Sequence, residues 1–201
     1  MKITVGRFLT LAAGVAALIA IGASVASAQT KDVYKLNYFS NNAVPADDIV
    51  AAPDATVRID NPGLTYGNLC AMIFVFDADQ QLSECCGCMQ SHNNLQTYDV
   101  RTQLTYNPLT GVVSTNGVIK IVSATPNQGV YCNPTINFTP TSNLRAWGTH
   151  IQNPVAGAYP ITETEFTDSP LCAAELSALE AQCAFISVLG SGHGFCSCGG
   201  G

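Results

Sequence analysis

Positive charge is scarce in this chain. Lys and Arg number eight in 201 residues, against 14 Asp and Glu, and the basic residues are scattered. A surface that neutralises phosphates needs clustered Lys and Arg, so the composition argues against nucleic acid as a partner, and against anionic lipid for the same reason. Histidine is equally sparse: His92, His150 and His193 fall in unrelated segments. The paired C-x2-C knuckles of a structural zinc site are missing, as are a C-x-x-C-H haem-attachment motif and a G-x-S-x-G nucleophile elbow. A C-x-x-C exists only as Cys85-Cys86-Gly87-Cys88 read end to end, without the βαβ context of a dithiol oxidoreductase. The sequence therefore names no catalytic residue, no cofactor and no metal site.

A long apolar run occurs once. Lys2 and Arg7 precede an uncharged stretch from Phe8 to Val25 that ends in Ala26-Ser27-Ala28, the pattern of a cleaved secretory signal over residues 1–28. No basic stop-transfer cluster follows, so no membrane span is expected after cleavage. Without Lys2 and Arg7, six basic residues face 14 acidic ones, a formal charge of −8. The remaining length suits one domain that buries roughly 70% of the surface of its unfolded chain.

Cysteine is what the chain has in abundance: Cys70, Cys85, Cys86, Cys88, Cys132, Cys172, Cys183, Cys196 and Cys198. Dense cysteine in an exported chain reads as a disulfide framework. Nine is odd, so one thiol is expected to be unpaired.

Residues 29–166 read as short strands separated by turn chemistry. The runs "VYKLNYF", "ATVRID", "NLCAMIFVF", "QLSECCGC", "LQTYDVRTQLTY", "GVIKIVSA", "TINFTP", "LRAWGTHIQ" and "YPITETEF" recur at spacings near ten residues, with turns at Asn61-Pro62-Gly63 and Asn116-Gly117. No helix lies between them, so the expected fold is mainly β, an antiparallel β-sandwich of about seven to nine strands. In "YDVRTQLTY", Tyr98, Val100, Thr102 and Leu104 alternate with polar residues as in a half-buried strand. "AMIFVF" does not alternate and should be covered on both faces. Residues 167–201 read as one C-terminal helix and a Gly/Cys-rich tail packed on the same domain. Asp168 or Ser169 caps, Pro170 suits the first turn, and Cys172, Leu176, Leu179, Cys183 and Ile186 form one inward stripe.

Geometry restricts the bridges. Cys172 and Cys183 are too far apart along a helix to bond each other. Cys183 is expected to pair with Cys196 or Cys198 of the tail. Cys86 and Cys88 share one strand face and Cys85 the other, which suggests Cys70 opposite Cys86 or Cys88 across a hairpin, and Cys85 bound to Cys132 or Cys172 in another layer.

Other residues carry weaker signals. Asp77-Ala78-Asp79 resembles the opening of a calcium loop, but Leu82 and Cys88 stand where glycine and glutamate are required, so a polar hairpin turn is expected. Ser191 and His193 read as flexible tail, and Glu163 and Glu165 as a solvated strand face. Tyr34, Tyr38, Phe39, Tyr66, Tyr98, Tyr106, Trp147 and Tyr159 could form a sugar-stacking platform where exposed, with Trp147 expected in the core.

The segments "ATVRIDNPG", "LCAMIFVFDADQQLSECCGC", "NPLTG", "GVIKIVSA", "LRAWGTH" and "TETEFTDSPL" resemble those of a group of uncharacterised secreted cysteine-rich proteins of soil bacteria. The likeness spans Val33 to Cys198. It implies export and a bacterial host, and transfers no catalytic residue.

The sequence thus points to an exported, disulfide-stabilised, non-catalytic protein, structural or adhesive at the cell surface, in the periplasm or outside the cell. Its partners would be extracellular glycan or protein, or a second copy of itself. The alternatives are a carbohydrate-binding module, and a hydrolase whose site is assembled in space from residues such as His92 or His150 with Asp99.

Overall fold

The computed structural model describes residues 32–41, 53–105, 113–129, 131–189 and 198. The expected signal segment, Tyr106, "NPLTG", Ser191, His193 and Cys196 lie outside the described residues. Strands are numbered along the chain, and all ladders are antiparallel. One sheet runs in the order β10 (Thr167–Asp168), β1 (Tyr34–Ser40), β6 (Asn116–Thr125), β3 (Leu69–Asp77), β4 (Leu82–Gln90), with β7 (Thr139–Pro140) paired to the end of β6. The second runs β5 (Asn94–Asp99), β2 (Thr56–Asn61), β8 (Arg145–Ile151), β9 (Ile161–Glu165). Helix α1 spans Ala173–Leu189. The expected mainly β, antiparallel, disulfide-bridged architecture with one C-terminal helix is the one observed.

Strand alternation divides the core in two. Ala71, Ile73 and Val75 of β3 meet Val57 and Ile59 of β2, Tyr98 of β5 and Ala146 of β8 between the sheets. Cys70, Met72 and Phe74, on the opposite face of β3, join Val122, Ala124, Leu179 and Cys183 beneath α1. β3 is therefore covered on both sides, as its unbroken apolar run requires. Burying a side chain such as Leu179 contributes about 1.5–3 kcal/mol.

Polar contacts fix the helix on the sheet. Glu175 accepts hydrogen bonds from the Tyr34 hydroxyl and from Lys120 Nζ, each at 2.8 Å, and the lysine holds its carboxyl below the usual range. Phe138 N–H donates to Glu180 at 3.1 Å. Lys35 is buried, and its charge is neutralised by Asp32 and, at 2.6 Å, by Asp168 directly opposite on β10.

Three local expectations are corrected. The strand expected to continue through Leu104 stops at Asp99, and Val100–Leu104 form a π-helical turn with Val100 and Leu104 buried. Asp54 drives the change: its carboxylate accepts from the N–H groups of Arg101 and Thr102 at 2.9 and 3.3 Å, offering the backbone partners that a ladder would otherwise supply. Asn116-Gly117 is not a turn but the start of β6, paired with Ser40 and Phe39. Gly117 is needed there for close approach, since a Cβ would lie 2.0 Å from the carbonyl oxygen of Phe76. Helix α1 begins after Cys172 rather than after Ser169. The Cys172 sulfur accepts from the N–H of Glu175 at 3.4 Å, so this exposed thiol sits at the N-cap and not in the buried stripe.

The turn at Asn61-Pro62-Gly63 forms as expected, with Gly63 at φ +76° and its N–H donated to Asn61 Oδ1 at 3.1 Å. Among the described residues, no helix is long and apolar enough to cross a membrane.

Candidate functional site

Most of the cysteines meet on or beside β4. Cys70 bonds Cys132, Cys85 bonds Cys183, and Cys88 bonds Cys198, with Cα separations of 5.5, 5.8 and 5.3 Å. Cys86 is also disulfide-bonded. Cys172 is the free thiol among the described residues.

These pairings correct the expected ones for a definable reason. At the hairpin tip Phe76 opposes Leu82; carried along the strands, that register would set Cys70 against Cys88. A bulge between Val75 and Phe76 shifts it by one residue, so that Cys70 opposes Met89 and Cys88 opposes Ala71. A one-residue slip moves a side chain to the other face of the sheet. Cys70 consequently faces the helix layer and reaches Cys132, while Cys86 and Cys88 face the sandwich interior at its edge. Cys85 does reach another layer, through Cys183 rather than Cys132 or Cys172, so Cys183 does not pair with the tail, whose Cys198 is bonded to Cys88 instead.

The sulfurs form a compact group. Sγ atoms of Cys86, Cys88 and Cys198 lie within 4.8 Å of one another, and those of Cys86 and Cys88 are 3.6 Å apart. An open cavity of about 610 Å³ adjoins them, lined by Gly87, Cys132, Asn133, Thr135 and Ser187 as well as by Cys86 and Cys198. Gly87 admits the neighbouring chain: a Cβ there would stand 2.4 Å from the carbonyl oxygen of Cys132.

The histidines do not assemble with Asp99. His92 is exposed, stacked 6.3 Å from Tyr66 and bonded to Asn93 at 2.9 Å. His150 is buried, with Nε2 2.7 Å from Thr164 Oγ1 and its ring stacked 3.9 Å from that of Tyr38. Its Nδ1 has no partner, whereas a hydrolytic dyad needs an acceptor there to fix the tautomer and stabilise the imidazolium. Burial holds the His150 pKa below its ordinary value and so favours the neutral ring.

Asp77-Ala78-Asp79 is the polar turn expected of it. Asp77 Oδ1 accepts from the N–H groups of Asp79 and Gln81, each at 2.9 Å.

Trp147 departs from expectation. Its neighbours Ala146 and Gly148 point inward and are buried, so Trp147 takes the outer face of β8, half-buried. There it lies in a cross-strand row with Arg58 and Thr97 on one side and Glu165 on the other. Arg58 forms an ion pair with Glu163 at 2.9 Å on this same solvent-facing surface. Tyr38 and Tyr66 are exposed, while Tyr34, Phe39 and Tyr98 are buried.

One residue with unusual chemistry was not singled out from the sequence. Glu84 is 1% exposed, and neither carboxylate oxygen has a hydrogen-bond partner. Burial pushes its pKa up to about 8. The signal was available in strand phase, since Glu84 shares its parity with Cys86 and Cys88. Comparison with known proteins gives no match to a protein-family model, to a curated protein or to a solved structure.

Proposed function

We propose that the chain is an exported, non-catalytic protein of a bacterial cell, structural or adhesive, working in the periplasm or outside the cell. The covalent framework carries this reading. Three bridges tie the β3–β4 hairpin to residues 62, 98 and 110 positions away. In the chain-entropy account, closing loops of this size disfavours the unfolded chain by about 4–5 kcal/mol each. Two packed sheets of this size do not require such staples to fold. Their use suits an oxidising compartment where an unfolded or clipped chain is not rescued. Production in a secreting bacterial host should yield a chain beginning at Gln29, outside the cytoplasm, with one cysteine alkylated before reduction. A cytoplasmic chain that retains residues 1–28, with all nine cysteines alkylated, refutes the proposal.

A second reading, carbohydrate binding, is favoured by Trp147. An aromatic ring on an open sheet face beside Arg58, Glu163 and Glu165 combines an apolar platform with hydrogen-bonding groups. Binding on a glycan array that Trp147→Ala removes without lowering the melting temperature supports it. Silence of the array counts against it.

A further inference from the structure

We propose that reduction converts the sulfur cluster on β4 into a thiolate site for a thiophilic d10 cation, with Zn2+ as its simplest occupant. In a tetrahedral zinc–thiolate centre with bonds of about 2.3 Å, adjacent sulfurs stand about 3.8 Å apart. The Cys86–Cys88 pair, at 3.6 Å, already has that edge. Cys198, bonded to Cys88 in the oxidised chain, brings the third sulfur to this edge, so that all three Sγ lie within 4.8 Å of one another. A zinc knuckle brings two sulfurs together with a tight C-x2-C turn; here the pleat of a strand does so with C-x-C, because residues two apart project from one face. The cavity of about 610 Å³ beside them gives an ion access and leaves room for a water as fourth ligand.

In the oxidised chain these sulfurs are held in bridges. A dithiol reductant supplies two electrons and two protons to each bridge and leaves as its own cyclic disulfide, turning Cys88–Cys198 and the Cys86 bridge into thiols. Zn2+ then displaces one proton each from Cys86, Cys88 and Cys198 and retains one water. Oxidising conditions close this site and reducing conditions open it, so metal and disulfide are alternative occupants of the same three sulfurs.

The test uses the full exported chain, reduced with dithiothreitol, desalted without oxygen and mixed with Zn2+ or with Co2+ as a spectroscopic probe. One equivalent of Zn2+ should stay with the reduced protein through gel filtration and none with the oxidised protein, and Co2+ should give thiolate charge-transfer bands. The Cys86→Ser, Cys88→Ser double variant should lose about tenfold or more in affinity, while Cys85→Ser, Cys183→Ser, which alters the bridge on the other face of β4, should keep it. The proposal fails if the reduced protein retains no zinc. It also fails if both double variants lose it equally, which would mean collection by unfolded thiols, or if circular dichroism shows a reduced chain that stays unfolded with Zn2+ present.

Discussion

Replacing Glu84 by Gln should make the protein more stable at pH 9 and leave it nearly unchanged at pH 4. The carboxyl is 1% exposed, lies on the inter-sheet face of β4 opposite Val75, and has no hydrogen-bond partner. Its pKa is raised from an ordinary 4.5 to about 8 by burial. A raised folded-state pKa places the stabilising range at low pH: below about 4.5 both states are protonated and nothing is lost. Between 4.5 and about 8 the unfolded chain ionises while the folded chain stays neutral, so stability falls as pH rises, and above about 8 the loss is complete. At about 1.4 kcal/mol per pH unit, the interval amounts to about 5 kcal/mol. That is a large part of the 5–15 kcal/mol that holds a typical domain together. Gln keeps the shape and the unpartnered polar atoms but cannot ionise. Urea unfolding with the disulfides intact, from pH 4 to 9, should therefore show wild-type and Glu84→Gln curves that coincide at the acid end, diverge between about pH 5 and 8, and keep a constant gap above that. Curves that run parallel throughout would refute a neutral, buried Glu84.

Removing the Cys85–Cys183 bridge by paired Ala substitutions releases a loop of 98 residues and should cost about 4–5 kcal/mol, read as a fall in the urea midpoint without reductant. Cys172→Ser puts a preferred N-cap residue at the start of α1 and should raise stability by about 0.5 kcal/mol or more; it should also abolish any covalent dimer on a non-reducing gel. Gly87→Ala, which sets a methyl 2.4 Å from the Cys132 carbonyl oxygen, should displace that segment and strain the neighbouring bridge, detected as extra thiols titrated in the native protein. Glu175→Gln weakens the tie to Lys120 and Tyr34. Because the folded pKa of Glu175 is lowered, that contribution is present above the unfolded pKa and disappears as pH falls through the folded one, so variant and wild type should converge in acid.

Strand positions were legible because β-branched and aromatic runs stand between turn residues, and α1 because Leu176, Leu179, Cys183 and Ile186 recur on one stripe. Cross-strand partners were not. The bulge at Val75–Phe76 carries no glycine or proline to announce it, yet it decides the face of Cys70 and with it the connectivity. The helix start was misplaced because Ser169 and Pro170 form a well-known start signal, while the sulfur at the cap, Cys172, is a weak acceptor seldom read as one. For Trp147 a clue was present: Leu144, Ala146, Gly148 and His150 share one phase, and Leu144 is an unambiguous core residue. Gly148 is inward because Asn37 and Phe166 fill the space, a Cβ there lying 3.1 Å from Asn37 Nδ2. Crowding of that kind comes from residues distant in sequence, and local pattern cannot contain it.

The same geometry explains why the cysteines gather where they do. β4 is the edge of its sheet and nine residues long, and an edge of that length offers unpaired backbone groups to any other strand. On one face Cys88 fastens the tail at Cys198; on the other Cys85 fastens α1 at Cys183. The carbonyl of Cys132 presses against Gly87 between them, held there by the bridge to Cys70 on the neighbouring strand. Charged side chains or a proline could have blunted this edge without covalent help, but Glu84 is the sole charged residue type on the strand and it points into the core. The bridges therefore do at β4 what surface charge does at β9, where Glu163 and Glu165 are exposed. The alternation of Cys-Cys-Gly-Cys then has a physical reading: two faces to fasten, and one position where only a missing side chain lets the fastened segment lie flat.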